Sequence, residues 1–243
     1  MKIRRRAVPL PIIVSLMVSA ALQIYWHGRL APPSATANAL PAAPSLAQAR
    51  LQSFSEPLLA ANLYMLRLQG FDNQPGISLP FSALPYTRVG DWLALALALD
   101  PKGQYPLMLA SQLYAQVPDA ARQRYMLDFT YRHFFVDPQR RWRWLAHAAI
   151  MAKHRLRDLP LALRYAQAIA IYAIGPNIPH WAQQMPIFIL QDIGELESAK
   201  IMLGALLTSG TVRDPRELHF LSERLRQLEQ ELKKHPLQSL YDP

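Results

Sequence analysis

The sequence predicts an all-α protein, with a single N-terminal transmembrane helix followed by a stack of antiparallel helical hairpins. Three observations lead there. Ala, Leu, Gln and Arg dominate a chain of 243 residues with only nine glycines, and these four are good helix formers. Residues 7–26 carry no charge. Beyond residue 50 the apolar positions recur at helical spacing, and prolines break the pattern at regular intervals.

Composition narrows the chemistry. Apolar residues make up 51% of the chain, which excludes global disorder. The absence of cysteine excludes disulfides, thiolate zinc sites, iron–sulfur clusters and cysteine nucleophiles. Net charge is +9, but Lys2, Arg4, Arg5 and Arg6 supply four of those charges. From residue 27 onward 22 Lys+Arg face 17 Asp+Glu, too small an excess to imply nucleic acid.

Residues 7–26 read AVPLPIIVSLMVSAALQIYW. At ~1.5 Å per residue twenty residues span about 30 Å, the thickness of a bilayer core. Pro9 and Pro11 sit where a helix start tolerates them, and Tyr25 and Trp26 sit where aromatic rings favour the headgroup zone. The basic cluster at residues 1–6 predicts a cytoplasmic N-terminal end. The soluble part then lies in the periplasm of a bacterial inner-membrane protein, single-pass, N-in and C-out. A cleaved signal peptide is the competing reading, with Val18-Ser19-Ala20 or Ala37-Asn38-Ala39 as the small-residue site.

Residues 27–49, Pro/Ala-rich and poor in large apolar side chains, are expected to form an extended tether. Residues 50–243 form the helical domain. Leu58, Leu59, Leu63, Leu66 and Leu68 place a first helix up to Gly70, with Ser55 as its cap and Pro57 near its start. Residues 70–87 hold Gly70, Pro75, Gly76, Pro80 and Pro85 and read as a long irregular loop. Further helices are expected near 88–99, 103–116, 119–134, 139–155, 159–173, 179–192, 195–208 and 214–234. Proline disfavours helix in the residue before it and suits the first turn of the next, and Asp before Pro caps that next helix.

The punctuation has a period. Asp100-Pro101 and Asp137-Pro138 lie 37 residues apart, and Asp214-Pro215 lies about two periods further on. Trp92 to Leu99 alternates Leu with Ala before Asp100-Pro101. Leu107, Ala110, Ser111 and Tyr114 follow at fixed offsets, and Trp144, His147, Ala148 and Met151 occupy the same offsets after Pro138. Leu159 to Ala168 and Gly194 to Ala199 look like second helices of such units. Over roughly residues 88–210 this resembles a degenerate tetratricopeptide repeat. His147 departs from the family's usual leucine, and the 119–134 helix lacks its alanines. The resemblance implies a TPR-like stack of hairpins that binds a protein or peptide as a scaffold.

The most unusual local run is Arg140-Arg141-Trp142-Arg143-Trp144. Arginine beside aromatic rings suits an anionic surface, so Arg140, Arg141, Trp142 and Arg143, with Tyr114, are the expected partner-binding residues. A solvated face over a core Trp144 is the plainer alternative. Lys153, His154, Arg155 and Arg157 complement the dipole at a helix end. His147 and His154 lie seven apart without the i, i+4 spacing of a metal pair, and no metal, cofactor or catalytic residue is expected. Phosphate loops, nucleophile elbows and HExxH motifs are absent from the sequence. Asp91, Asp128 and Asp192 each stand alone among apolar neighbours. The leucines of the last helix either cap the stack or pair with a partner helix. The expected function is a membrane-anchored scaffold or assembly factor for a protein partner of an envelope complex. A binding module for an anionic polysaccharide or lipid, or an envelope glycan enzyme, stand as alternatives.

Overall fold

The computed structural model describes residues 9–29, 37–210, 212 and 214–234. The basic end at residues 1–6, most of the tether's middle and residues 235–243 of the helical domain lie outside the described residues. Eleven α-helices and one small hairpin of two-residue strands make up the regular structure of the described residues, besides short 3-10 and π turns. The chain divides into two compact units, Met1–Asn38 with Asn73–Ser78, and Ala39–Asp72 with Leu79–Pro243.

The first unit holds α1 (Leu10–Arg29), which is long and apolar enough to cross a membrane, with a mean hydropathy of 1.5 and no buried residue. It starts three residues later than the uncharged run, because Pro9 supplies its first carbonyl, to Ile12 at 3.0 Å. It ends on His27 and Arg29, which complement the negative end of the helix dipole. The same unit holds the antiparallel pair β1 (Asn73–Gln74) and β2 (Ile77–Ser78). Its turn is Pro75-Gly76, with Gly76 at φ 79°, where a side chain would be strained. The Gln74 amide brackets the Asn38 backbone, accepting at 2.8 Å and donating at 3.0 Å.

In the second unit the far end of the expected tether is folded. Leu40 is buried in the core, the Leu40 and Pro41 carbonyls accept from Arg88 and Trp92, and Ser45 opens α2 (Leu46–Gln52) with a reciprocal capping box to Gln48. Leu40 and Leu46 are the only large apolar side chains there, and one of them is enough to dock the strand. Next comes α3 (Pro57–Gln69), whose buried face is Ala60, Ala61, Met65 and Leu68. Leu58, Leu59, Leu63 and Leu66, which defined this helix in the sequence, all point outward. Ser55 is not its cap; it sits at φ 71° in the turn before it.

The long loop carries short 3-10 turns at Gly70–Asp72 and Phe81–Ala83. Phe81 packs edge-on against Tyr114, and Leu84 is buried. Then α4 (Tyr86–Leu99) is buried on nearly every side. The expected 103–116 helix is broken into α5 (Tyr105–Met108), a π turn (Leu109–Leu113) and a 3-10 turn (Tyr114–Gln116). Ser111 Oγ bonds back to the Leu107 carbonyl at 2.9 Å, a contact that bends helices. The remaining helices fall within one residue of expectation at both bounds: α6 (Ala120–Phe134), α7 (Pro138–His154), α8 (Leu159–Tyr172), α9 (His180–Ile193), α10 (Leu196–Thr208) and α11 (Pro215–Lys234). Asp119, Asp137 and Asp158 accept from the backbone of the first turn of α6, α7 and α8, each cap contributing about 1 kcal/mol.

Consecutive helices pack side by side from α6 to α11, and α3 packs on α4. Alternate helices also touch. α4 meets α6, and α5 meets α7. Cross-links join residues one hairpin apart. Asp128 on α6 accepts from Arg164 at 2.8 Å and from the Tyr165 hydroxyl at 2.6 Å on α8. Lys153 on α7 pairs with Asp192 on α9 at 2.5 Å, Gln184 and Gln191 on α9 bond Glu217 and Arg224 on α11, and Gln69 bonds Tyr105. Asp128 and Asp192 are thus paired, not isolated; their partners are far away in sequence. Fully buried alanines, among them Ala110, Ala148, Ala149, Ala162, Ala166 and Ala182, let the backbones approach.

Arg141 is the least expected core residue. It is 1% exposed on the first turn of α7, and donates to the His133 carbonyl at 2.5 Å and the Pro101 carbonyl at 2.7 Å. Replacing it by Met keeps the stem and strands both carbonyls. Arg141→Met should lose about 2–4 kcal/mol of stability, read from the urea midpoint, with Arg141→Lys recovering only part. An unchanged midpoint would show that the clamp is dispensable.

Candidate surface site at the hairpin turns

The five residues expected to bind a partner separate into two groups. Tyr114 is fully buried, with its hydroxyl unpartnered, and cannot touch a partner. Arg141 is the buried clamp, and Trp142 is buried with its ring edge-on to Trp181 at 5.4 Å. Arg140 and Arg143 remain on the surface. Arg140 pairs with Asp137 at 3.4 Å, and Arg143 lies over the Trp142 ring at 5.6 Å. Interleaving explains the split. On a helix, residues one apart point about 100° away from each other, so a run of five cannot share one face. Trp144 is half-buried, its indole nitrogen donating to Gln104 at 2.7 Å.

The structure brings other side chains to the two exposed arginines. The turn between α6 and α7 presents Phe135 and Val136, the latter 66% exposed. Tyr172 is the exposed last residue of α8, the turn after it presents Ile174, and α9 opens with Trp181, half-exposed. The two turns touch. Phe135 meets Tyr172 edge-on at 5.2 Å, and Gln139 donates to the Ile174 carbonyl at 3.0 Å. Gly175 lies against Gln139 with φ 155°, at the edge of the region that favours glycine. Exposed apolar and aromatic side chains thus gather at two touching turns, with Arg140 and Arg143 exposed near the start of the adjoining α7. Exposed apolar patches with a polar rim mark interaction sites. The sequence did hold a signal: Phe135-Val136 and Tyr172 to Ile174 run apolar into their breaks, where a turn between helices is ordinarily polar.

The titratable groups of this region act in folding. Burial, with Arg141 and Arg132 nearby, pushes the His133 imidazole down to about 4, and its ring packs on Phe129 at 4.4 Å. Burial also lowers His147, whose Nε2 is buried without a partner. Burial, and then the bond to Asp128, raises Tyr165. No group of three or more His, Asp and Glu side chains close enough to hold a metal occurs among the described residues. Comparison with known proteins adds nothing to this picture: no family model, no curated protein and no solved structure matches the chain.

A histidine held below its unfolded value is neutral in the fold and takes up a proton on unfolding. Its contribution is complete above about pH 6.5 and is lost as pH falls toward 4. Thermal stability should therefore drop over this window, by roughly 1–3 kcal/mol for His133 after allowance for partial exposure. His133→Gln should flatten that slope. An identical pH profile for the variant would assign the loss to other groups.

Proposed function

We propose that the chain is a membrane-anchored scaffold or assembly factor, which α1 fixes in the membrane and whose TPR-like helical stack holds a protein partner of an envelope complex. The observation that carries the reading is the exposed aromatic and aliphatic surface where two hairpin turns meet, with Arg140 and Arg143 exposed nearby. Such a surface fits a protein segment with apolar side chains flanked by acidic ones.

Three further features support it. Cross-hairpin bonds recur at separations such as 33, 36 and 39 residues, near the 34-residue spacing of the tetratricopeptide family. α1 has the length and apolarity of an anchor. The basic residues before α1 favour N-in, C-out insertion in a bacterial inner membrane, which puts the helical stack in the periplasm.

In-cell crosslinking of the tagged full-length protein, followed by mild detergent extraction, identifies the partner. Val136→Ser with Ile174→Ser should lower its recovery about tenfold, as loss of central apolar contacts does, while the urea midpoint stays within about 0.5 kcal/mol of wild type. Arg140→Glu with Arg143→Glu should slow association and reduce its salt dependence. Full recovery of the partner with the double serine variant would move the binding surface elsewhere. Binding of an anionic polysaccharide that collapses with added salt, without a protein partner, would favour a ligand-binding module instead.

A further inference from the structure

The two ends of the helical stack are finished differently. At the C-terminal end α11 buries Leu221 and Leu228 against α10 and turns Arg216, Glu223, Arg226, Gln227, Glu229 and Lys233 toward water or part-way to it. Apart from Phe220, which is 54% exposed, this outer face is polar, as the last unit of a helical stack requires. At the N-terminal end α3 is apolar on both sides. Its inner face packs on α4 through Ala60, Ala61, Met65 and Leu68, while Leu59, Leu63 and Leu66, four and then three residues apart, form an outward stripe, with Leu58 beside it. Asn62 and Arg67 are also exposed on α3, so its outward side is largely apolar with polar residues beside the stripe, a pattern that suits an interface with an apolar phase.

The turn before α3 extends the same surface. Leu51 is 82% exposed and Phe54 89%. Phe54 and Ser55 are held at φ 49° and 71°, a region that bulky side chains rarely adopt. Ser53 ties the turn to the Arg50 carbonyl at 2.7 Å, and the Glu56 amide donates to the Ser53 carbonyl at 2.8 Å. The turn thus pays backbone strain to project an aromatic ring away from the fold, and strain of this kind collects at sites of function.

Position in the chain says what covers the face. Leu40 is fixed in the core, and only ten residues, eleven Cα-to-Cα steps, lie between it and Arg29 at the end of α1. At about 3.6 Å per residue the entry to the helical stack lies at most ~40 Å from the end of α1. The first elements after that entry are α2 and α3. If α1 crosses a membrane, the bilayer surface is the apolar phase always within their reach, at a high effective concentration. From Leu46 to Gln69 the charged residues are Arg50, Glu56 and Arg67. Both arginines are exposed and suit anionic headgroups.

We propose that the outer face of α2 and α3, with Phe54, Leu51, Leu58, Leu59, Leu63 and Leu66, lies in the headgroup layer of the lipid bilayer that α1 crosses. This rests on the anchor reading, and α3 then orients the stack at the membrane as well as opening it.

The chain has no cysteine, so single thiols report cleanly. Phe54→Cys, Leu59→Cys and Leu63→Cys, with Leu22→Cys in α1 and Gln167→Cys on the exposed side of α8, are each labelled with an environment-sensitive fluorophore. The full-length protein is reconstituted in phosphatidylethanolamine–phosphatidylglycerol vesicles carrying nitroxide lipids. Labels at 54, 59 and 63 should be blue-shifted and lose emission to nitroxides at headgroup depth, label 22 to nitroxides deep in the acyl chains, and label 167 to neither. Quenching at 22 without quenching at 54, 59 and 63 overturns the proposal and leaves the anchor standing. Quenching at 54, 59 and 63 without quenching at 22 supports the lipid face and removes the anchor. Loss of both removes both. Labels at 54, 59 and 63 that are blue-shifted but unquenched, and that crosslink between copies, assign the face to a second copy and overturn the proposal.

Discussion

The middle of the helical stack depends on a cation in its interior. Arg141 enters from the first turn of α7 and bonds carbonyls contributed by the last turn of α6 and by the turn after α4. The last carbonyls of a helix have no partner within it, and His133 supplies one of these. The positive charge also sits at the negative end of the α6 dipole, which favours it, and at the positive end of α7, which does not. Asp137, capping α7, offsets the second effect. Burial lowers the guanidinium from its ordinary value, and Asp137 and Asp100 oppose that shift. This one side chain ties α7 to both earlier elements, alongside the apolar packing of α7 on its neighbours.

From that clamp outward neighbouring helices hold by side-by-side packing. They meet through buried alanines, and long polar side chains bond between alternate helices. Asp128 with Arg164 and Tyr165, and Lys153 with Asp192, are examples. The exposed ion pairs contribute little by themselves, on the order of 0–1 kcal/mol each. The Asp128 site gains more, because one carboxylate oxygen accepts from both a guanidinium and a buried hydroxyl, and the Arg164 guanidinium also lies over the Tyr131 ring at 5.0 Å. The buried apolar side chains form a long central cluster with smaller ones at α2–α4 and α9–α11, so each end of the stack has a local core of its own.

Helix positions were legible in the sequence because their signals are local. Proline and glycine breaks and helical spacing placed α6 to α11 within one residue. What failed was whatever depends on a distant partner. The leucines of α3 defined a helix correctly but not which way it faces: of the five only Leu68 lies on the buried side, beside Ala60, Ala61 and Met65. Leu40 looked like part of a tether because nothing nearby in sequence marks the hole it fills. Arg141 and Trp142 looked like surface because arginine usually is, and the carbonyls that hold Arg141 lie eight and forty residues away. Of the candidate site only Arg140 and Arg143 could be read directly. Phe135, Val136, Tyr172, Ile174 and Trp181 gather only after two turns 35 residues apart are brought together.

The difference between the two ends bears on what the stack is for. A series of hairpins that had only to be soluble would finish both ends as α11 does, with leucine inward and charge outward. Polar substitutions at Leu59, Leu63 or Leu66 would cost the fold little, because these side chains are not in its core. The apolar outer face of α3 is therefore not a requirement of folding. The same holds for Val136 and Ile174 at the hairpin turns. Two apolar surfaces that the fold does not need are what the proposed adaptor between a bilayer and a protein would require. On that proposal the first surface would meet the lipid and leave the second free for the protein partner.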